Sequence, residues 1–168
     1  PTKNLTKEVK EKDGRYYQYT AIDEYTRKRI LCASKEQSTS ASTEFIEIIR
    51  KKFPFEIECI QTDNGFEFTN RLNWQGTKKQ TMFEKKLEEL GIRHKLIKPK
   101  TPRHNGKVER SHRKDQERFY YNKVFCSFED FKNRLKYWEK EYNNFPMKPL
   151  EWKSPNEKFK EYELKKNA

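Results

Sequence analysis

Two acids in this sequence stand where carboxylates could do chemistry. Asp63 ends a short apolar run in IECIQTDNGFEF, and Glu109 lies 46 residues later in TPRHNGKVERSHRKDQERFY, a strongly basic stretch. An acid at the end of a sheet strand is held by a rigid element at the edge where crevices open in α/β folds, and the Asn64-Gly65 pair that follows lets the chain turn away from it. Carboxylates are the hard oxygen ligands that Mg²⁺ and Mn²⁺ prefer. Two such ions about 3.5 to 4 Å apart can activate water or a 3′-hydroxyl and stabilise the leaving oxygen of a phosphodiester. Each acid alone has a plainer reading, since DNG is a common turn and a Glu in KVERSHRK is usually solvated. Their combination carries the interest.

Positive charge surrounds the second acid. Arg110 and Arg113 follow Glu109 at helical offsets of one and four, so both can reach a phosphate near it. Lys98, Lys100, Arg103 and Lys107 extend the stripe upstream. The whole chain agrees: 38 Lys and Arg against 26 Asp and Glu give a formal charge of +12, which favours a polyanionic partner through counterion release. Lysine-rich surfaces also arise as solvated faces, so charge by itself decides little.

The elements that must position these residues are legible in outline. Residues 1–13 are polar and end in Asp13-Gly14, so they read as a loop or a hairpin arm leading into RYYQYTAIDEY. Tyr17, Tyr19 and Ala21 alternate as a strand does, and Ile30 to Ala33 make a second, antiparallel one. Ser38 to Thr43 offer N-cap oxygens to a helix whose Phe45, Ile48, Ile49 and Phe53 share a face, with Pro54 as its stop. Glu56 to Asp63 reads as a strand paired in parallel after that crossover, Gln80 to Leu90 as a helix ended by Gly91, and Ile92 to Ile97 as a short strand. A helix should run from Lys107 toward Tyr121. Another opens at Ser127, with Asp130 three residues later as a weaker form of the usual Glu capping partner and with Phe128, Phe131, Leu135, Trp138 and Tyr142 facing inward. Residues 143–168 read as an extension packing on one 168-residue domain, with Trp138 and Trp152 structural. The polar stretch from Thr69 to Thr77, with Trp74, looks like an inserted loop.

Other chemistries find little support. Cys32, Cys59 and Cys126 are odd in number and lack CxxC spacing, so they read as reduced core thiols, and His94, His104 and His112 have no compact ligand spacing with them. There is no apolar run near 20 residues and no signal-peptide pattern, so a cytosolic, membrane-free protein is expected.

The segments YYQYTAIDEYTRKRILCAS, IECIQTDNGFEFTN, LGIRHKLIKPKTPRHNGKVERSHRKDQERFY and YNNFPMKPLEWKSPNEKF resemble the catalytic core of the retroviral-type integrase and bacterial insertion-sequence transposase superfamily. The resemblance covers nearly the entire chain, and its most specific piece is TDNG followed in order by TPRHNGKVER. It implies a ribonuclease H-like α/β fold, a mixed sheet flanked by helices, with an Asp-Asp-Glu triad and Mg²⁺ or Mn²⁺ as cofactor. It also implies cleavage and strand transfer on double-stranded DNA at transposon ends and target sites, a homo-oligomeric assembly, a separate N-terminal DNA-binding region, and work at the nucleoid of a bacterial cytoplasm. By motif, Asp63 matches the second aspartate, Glu109 the glutamate, and Asn105-Gly106 the turn before the catalytic helix.

Two departures matter. The step from Asp63 to Glu109 exceeds the family's commonest spacing by about ten residues, which a loop insertion at TNRLNWQGTKK would accommodate. The first aspartate is harder to place, because in the family it precedes the hairpin on an earlier strand. Asp23 belongs to the hairpin itself, and Asp13 sits in a connecting turn. The expectation is that the sequence begins just after that aspartate, which leaves metal affinity and activity weak. The competing reading is a catalytically degenerate core that binds nucleic acid or serves as a scaffold.

Overall fold

The computed structural model describes residues 2–11, 14–71, 79–97, 106–121 and 123–166. Five strands form one mixed sheet: β1 (Thr2–Glu11), β2 (Gly14–Ile22), β3 (Arg29–Ser34), β4 (Cys59–Thr62) and β5 (Arg93–Leu96), in the spatial order β3-β2-β1-β4-β5. The first three pair antiparallel as a meander, whereas β4 runs parallel to both β1 and β5. Parallel neighbours need a crossover, and α1 (Thr39–Lys52) supplies the one between β3 and β4. The polar N-terminal segment is thus a hairpin arm, and it occupies the centre of the sheet. Its Lys and Glu residues made it look peripheral, but only Thr2, Lys3 and Asn4 pair with β4. The rest of β1 has β2 alone as a partner.

Helix boundaries follow their caps. Ser38 Oγ accepts the Ala41 N–H at 3.1 Å to start α1, and Phe53, extended because Pro54 disfavours the helical region before it, ends it. The helix expected from Gln80 begins instead as α2 (Met82–Glu89), since Thr81 is the cap: its hydroxyl accepts from Glu84 N while the Glu84 carboxylate accepts from Thr81 N. The strand expected over Glu56 to Asp63 contracts to β4, because a ladder exists only where β1 and β5 lie alongside. Past Pro102 the chain forms α3 (Gly106–Asp115), one wider turn over Gln116–Tyr120, and then α4 (Phe128–Asn144) and α5 (Pro155–Lys166).

Both faces of β2 are buried. Tyr19 and Ala21 join Phe45, Ile46 and Ile49 of α1 and Phe83 and Leu87 of α2 in the main core. On the other face Tyr16, with Leu31 of β3, packs against Phe119, Phe131 and Leu135. The inner stripe of α4 is the one its periodicity predicts, and Trp138 is structural: its Nε1–H donates to Asp115 at 2.6 Å. Three expectations fail. Trp152 is 69% exposed with φ of 63°, because the turn after Leu150 throws it outward. Cys126 is exposed just ahead of the α4 cap, so of the three thiols only Cys32 and Cys59 are partly buried. Asp130 does not complete a capping box, since its carboxylate accepts from Cys126 N and Arg134 Nε. In the C-terminal segment Phe159 of α5 is buried, with the Lys28 ammonium 4.6 Å from its ring centroid.

One buried ion pair ties the second face together. Arg29, at the start of β3, is fully buried, and its Nη1 donates to Asp115 Oδ1 at 2.7 Å and to Ser111 Oγ at 2.5 Å, both on α3. The guanidinium lies 3.8 Å from the ring centroid of Tyr142, on α4. Asp115 also accepts from Gln18 Nε2 of β2 at 2.9 Å. Asn143 of α4 brackets the Arg29 backbone, accepting its N–H at 2.8 Å and donating to its carbonyl at 2.7 Å. Replacing Asp115 with Asn leaves a buried guanidinium without its counter-charge, and urea denaturation should show a loss of about 3 to 5 kcal/mol. Arg29→Met combined with Asp115→Leu should recover much of it; a single-variant loss under about 1 kcal/mol would mean that the pair is no lock.

Candidate metal and nucleic-acid site

Asp63 is the first residue beyond β4, and the end of that strand is built to hold it. The Thr62 hydroxyl donates to the Asp63 carbonyl at 2.9 Å and lies 2.8 Å from His94 Nε2 on β5. With its one proton so engaged, Thr62 Oγ1 receives the His94 Nε2–H. Burial lowers the His94 pKa, which keeps this imidazole neutral. Asn64 Nδ2 donates to the Ile97 carbonyl at 2.9 Å and pins the turn to the end of β5. Gly65 N–H donates to Asp63 Oδ1 at 3.0 Å, while the other carboxylate oxygen has no hydrogen-bond partner among the described residues.

The turn needs its glycine. A Cβ at Gly65 would lie 2.5 Å from Oε2 of Glu67. Glu67 is buried behind the turn, where it accepts from Gln37 Nε2 at 2.6 Å, and its carbonyl accepts the Ser42 hydroxyl at 2.7 Å. Burial pushes the Asp63 carboxyl above its ordinary value, the Gly65 N–H opposes that shift, and the Glu67 charge adds to it. Sequence reasoning passed over Glu67 and His94. The only signal was nearness, Glu67 four residues after Asp63 and His94 at the middle of the next strand.

Glu109 sits in the first turn of α3. That helix buries Val108, Ser111 and Asp115, so Glu109, Arg110 and Arg113 are left exposed on its outer surface. Glu109 makes no hydrogen bond or ion pair with another described residue. Neighbouring Lys114 shows how positive this helix is: burial lowers its pKa first, and the charges of Arg118, Arg29 and Arg110 lower it further. Lys107 belongs to α3 by its backbone. Lys98, Lys100 and Arg103, and likewise His104, Asn105, Asp13 and Trp74, lie outside the described residues. His112 is partly buried, with Nδ1 3.8 Å from Asp115 Oδ2, and faces the ion-pair network. Asp23 is a turn residue, its Oδ2 accepting from both Thr26 N and Thr26 Oγ1 at 2.7 Å. Tyr120 packs inward and donates to Gln18 Oε1.

β1 runs beside β4 on the side away from β5, and α3 lies against β1. Along the parallel pair Thr2 is level with Ile60, Lys3 with Gln61 and Asn4 with Thr62. Among the described residues no three His, Cys, Asp or Glu side chains gather as a metal cage. Asp63 and Glu109 are hard oxygen donors of the right kind for one Mg²⁺ or Mn²⁺. The three-carboxylate set that the resemblance implies is not met there.

Comparison with known proteins agrees with this fold. The family model described as the integrase core domain matches residues 5–102, more than half of the chain, and a second of the same description matches residues 90–155. "Putative integrase ORF3" of Spiroplasma virus SpV1-C74 is 31% identical over 137 residues, which are 78% of this chain and 38% of that protein. The chain therefore spans well under half of that relative. Among solved structures, the catalytic core domain of BIV integrase superposes with a TM-score of 0.70 at 17% identity, covering 99% of this chain and 98% of that one. The HTLV-2 integrase catalytic core domain in complex with magnesium, in a trimeric form, gives 0.67 at 16% identity, with 93% of each chain covered. With the sheet order, the flanking helices and the motif order all in agreement, the chain belongs to the integrase core domain family, polynucleotidyl-transferase-type enzymes on a ribonuclease H-like fold.

Proposed function

We propose that this chain is the DNA-processing core of an integrase or transposase, in which Asp63 and Glu109 hold a divalent cation, Mg²⁺ or Mn²⁺, for cleavage and strand transfer. The observation that carries this reading is Asp63 itself, fixed at the end of β4 by three hydrogen-bonded neighbours with one carboxylate oxygen unengaged. When bound, the cation would polarise a phosphodiester and offset the charge that develops on its oxygens. The chain's own residues do the rest. Thr62, His94 and Asn64 fix the position of the Asp63 carboxylate, and Glu109 is left exposed on α3. Arg110 and Arg113, exposed on the same helix, bind and orient backbone phosphate.

The partners in this reading are double-stranded DNA, transposon ends and target DNA, and further copies of the chain in the full assembly. The +12 charge supports the nucleic-acid part. The magnesium and the dimeric and trimeric forms named for the HTLV-2 cores support the cation and the oligomer. Action at the nucleoid of a bacterial cytoplasm completes the proposal. No helix among the described residues is long and apolar enough to cross a membrane.

Three measurements test it. Asp63→Asn and Glu109→Gln should each weaken Mn²⁺ binding at least about tenfold while the fold persists; unchanged binding in both would end the assignment. Asp63→Asn should also hold or raise the thermal midpoint at neutral pH, because the folded state disfavours the Asp63 charge. The raised folded-state pKa makes that penalty present above it, and the advantage of the amide should shrink as pH falls and the native acid protonates. Replacing Arg110 and Arg113 together by Ala should lower the slope of log K against log salt for duplex DNA by about 2, one unit per lost phosphate contact. A slope equal to that of the native protein would put those side chains away from the DNA.

A further inference from the structure

A second positive surface lies beyond Glu109, where α3 and the wider turn over Gln116–Tyr120 face α4. Two recesses follow one another there. One, of about 240 Å³, has Trp138, Tyr142 and Phe145 as its aromatic lining and Lys114 and Arg118 as its cations. The other, of about 330 Å³, has Phe119, Tyr137 and Trp138 with Lys123 and Arg134. Trp138 lines both, and so does Glu141, the one acid in either lining. Arg134 is paired with Asp130, but no acid among the described residues pairs with Lys114, Arg118 or Lys123. They lie against rings instead. The Lys114 ammonium and the Arg118 guanidinium are 5.6 and 5.0 Å from the ring centroid of Phe145, and Lys123 is 5.7 Å from that of Phe119. Arg110, Lys114 and Arg118 follow at four-residue steps, and the charges of Arg118 and Arg110 both act on Lys114. Like charges so spaced destabilise a helix, a cost that a bound phosphate would remove. The rings are also open to a ligand: Tyr137 is 65% and Phe145 44% exposed. Between them stands Trp138, its indole fixed by the bond to Asp115. A helix lying on the backbone of a duplex meets phosphate and sugar, whereas exposed rings beside cations match a strand whose bases are free to stack.

We infer that the seam between the α3 segment and α4 is a track for an unpaired DNA strand, its phosphates held by Lys114, Arg118 and Lys123 and its bases laid against Phe145, Trp138 and Tyr137. The inference rests on DNA being the partner, as proposed above, and adds the state of the strand. A base entering the smaller recess stacks on the Phe145 ring or on the Arg118 guanidinium beside it. Every base has a face to stack, so such a track is tolerant of sequence. Glu141, shared by the two recesses, opposes phosphate there, and its removal should strengthen binding.

The test is fluorescence anisotropy of the native chain and its variants with labelled oligothymidylate and, separately, with a blunt duplex of the same length. Tyr137→Ala combined with Phe145→Ala removes two exposed rings, and should weaken binding of the strand at least about tenfold while leaving the duplex within about twofold. Lys114→Ala combined with Arg118→Ala should lower the salt slope for the strand by about 1.4, or 0.7 for each lost contact, which keeps the inference testable if the ring variant folds poorly. Glu141→Gln should tighten the strand by about twofold. Equal losses on strand and duplex in the ring variant, or no loss on the strand with circular dichroism unchanged, would overturn the inference. So would a ring variant that sediments as a smaller species than the native chain while its affinity for the strand is kept, since the face would then be an interface between copies. A native chain that binds the duplex through Arg110 and Arg113 but shows no ring-dependent binding of the strand defeats the track alone; one that binds neither nucleic acid defeats the functional reading with it.

Discussion

The buried pair of Arg29 and Asp115 is the constraint on which the rest of this molecule depends. A charge of either sign inside the protein is costly unless it is paired. Here the pair gathers β2 through Gln18, α3 through Ser111 and Asp115, and α4 through Trp138, Tyr142 and Asn143, while Nε and Nη2 of Arg29 have no hydrogen-bond partner among the described residues. Pairing the two charges thus sets where two helices sit on the sheet. It bears on the proposed function because α3 carries Glu109, Arg110 and Arg113. Their helix has little apolar surface of its own, so an apolar stripe alone would hold it poorly. A directional ion pair fixes its rotation as well as its position.

The turn at Asp63 shows the opposite use of charge. Its carboxyl is partly desolvated and close to the Glu67 carboxylate, so the fold works against its ionisation. The surroundings accept that cost and hold it in place: Gly65 makes room for Glu67, and Asn64 and Thr62 are tied to β5 and its neighbour. A cation beside Asp63 would relieve both the desolvation and the repulsion between the acids. In the proposed function, that cost of holding two acids together is what a bound cation would offset.

Much of the fold was legible in the sequence because its signals are local. Ser38, Thr81 and Ser127 cap helices through bonds to residues three positions away, Pro54 and Gly91 stop them, and the stripe from Phe128 to Tyr142 follows helical period. Asp63 and Glu109 stood out by motif, and the order of TDNG and TPRHNGKVER identified the family. The sequence could not place β1, whose Lys- and Glu-rich pattern reads as periphery, because a strand paired on one side for most of its length has no need of an apolar run. Nor could it foresee that Glu67 lies behind the Asp63 turn, that Trp152 faces solvent, or that Arg29 among three consecutive cations is the buried one. What the sequence determined by itself was most of the helices and strands and the family motifs that carry Asp63 and Glu109, since these follow from neighbours along the chain. The tertiary structure alone decided which strand lies beside Asp63, and which arginine meets Asp115, since sheet register and buried pairing are set between residues far apart in sequence.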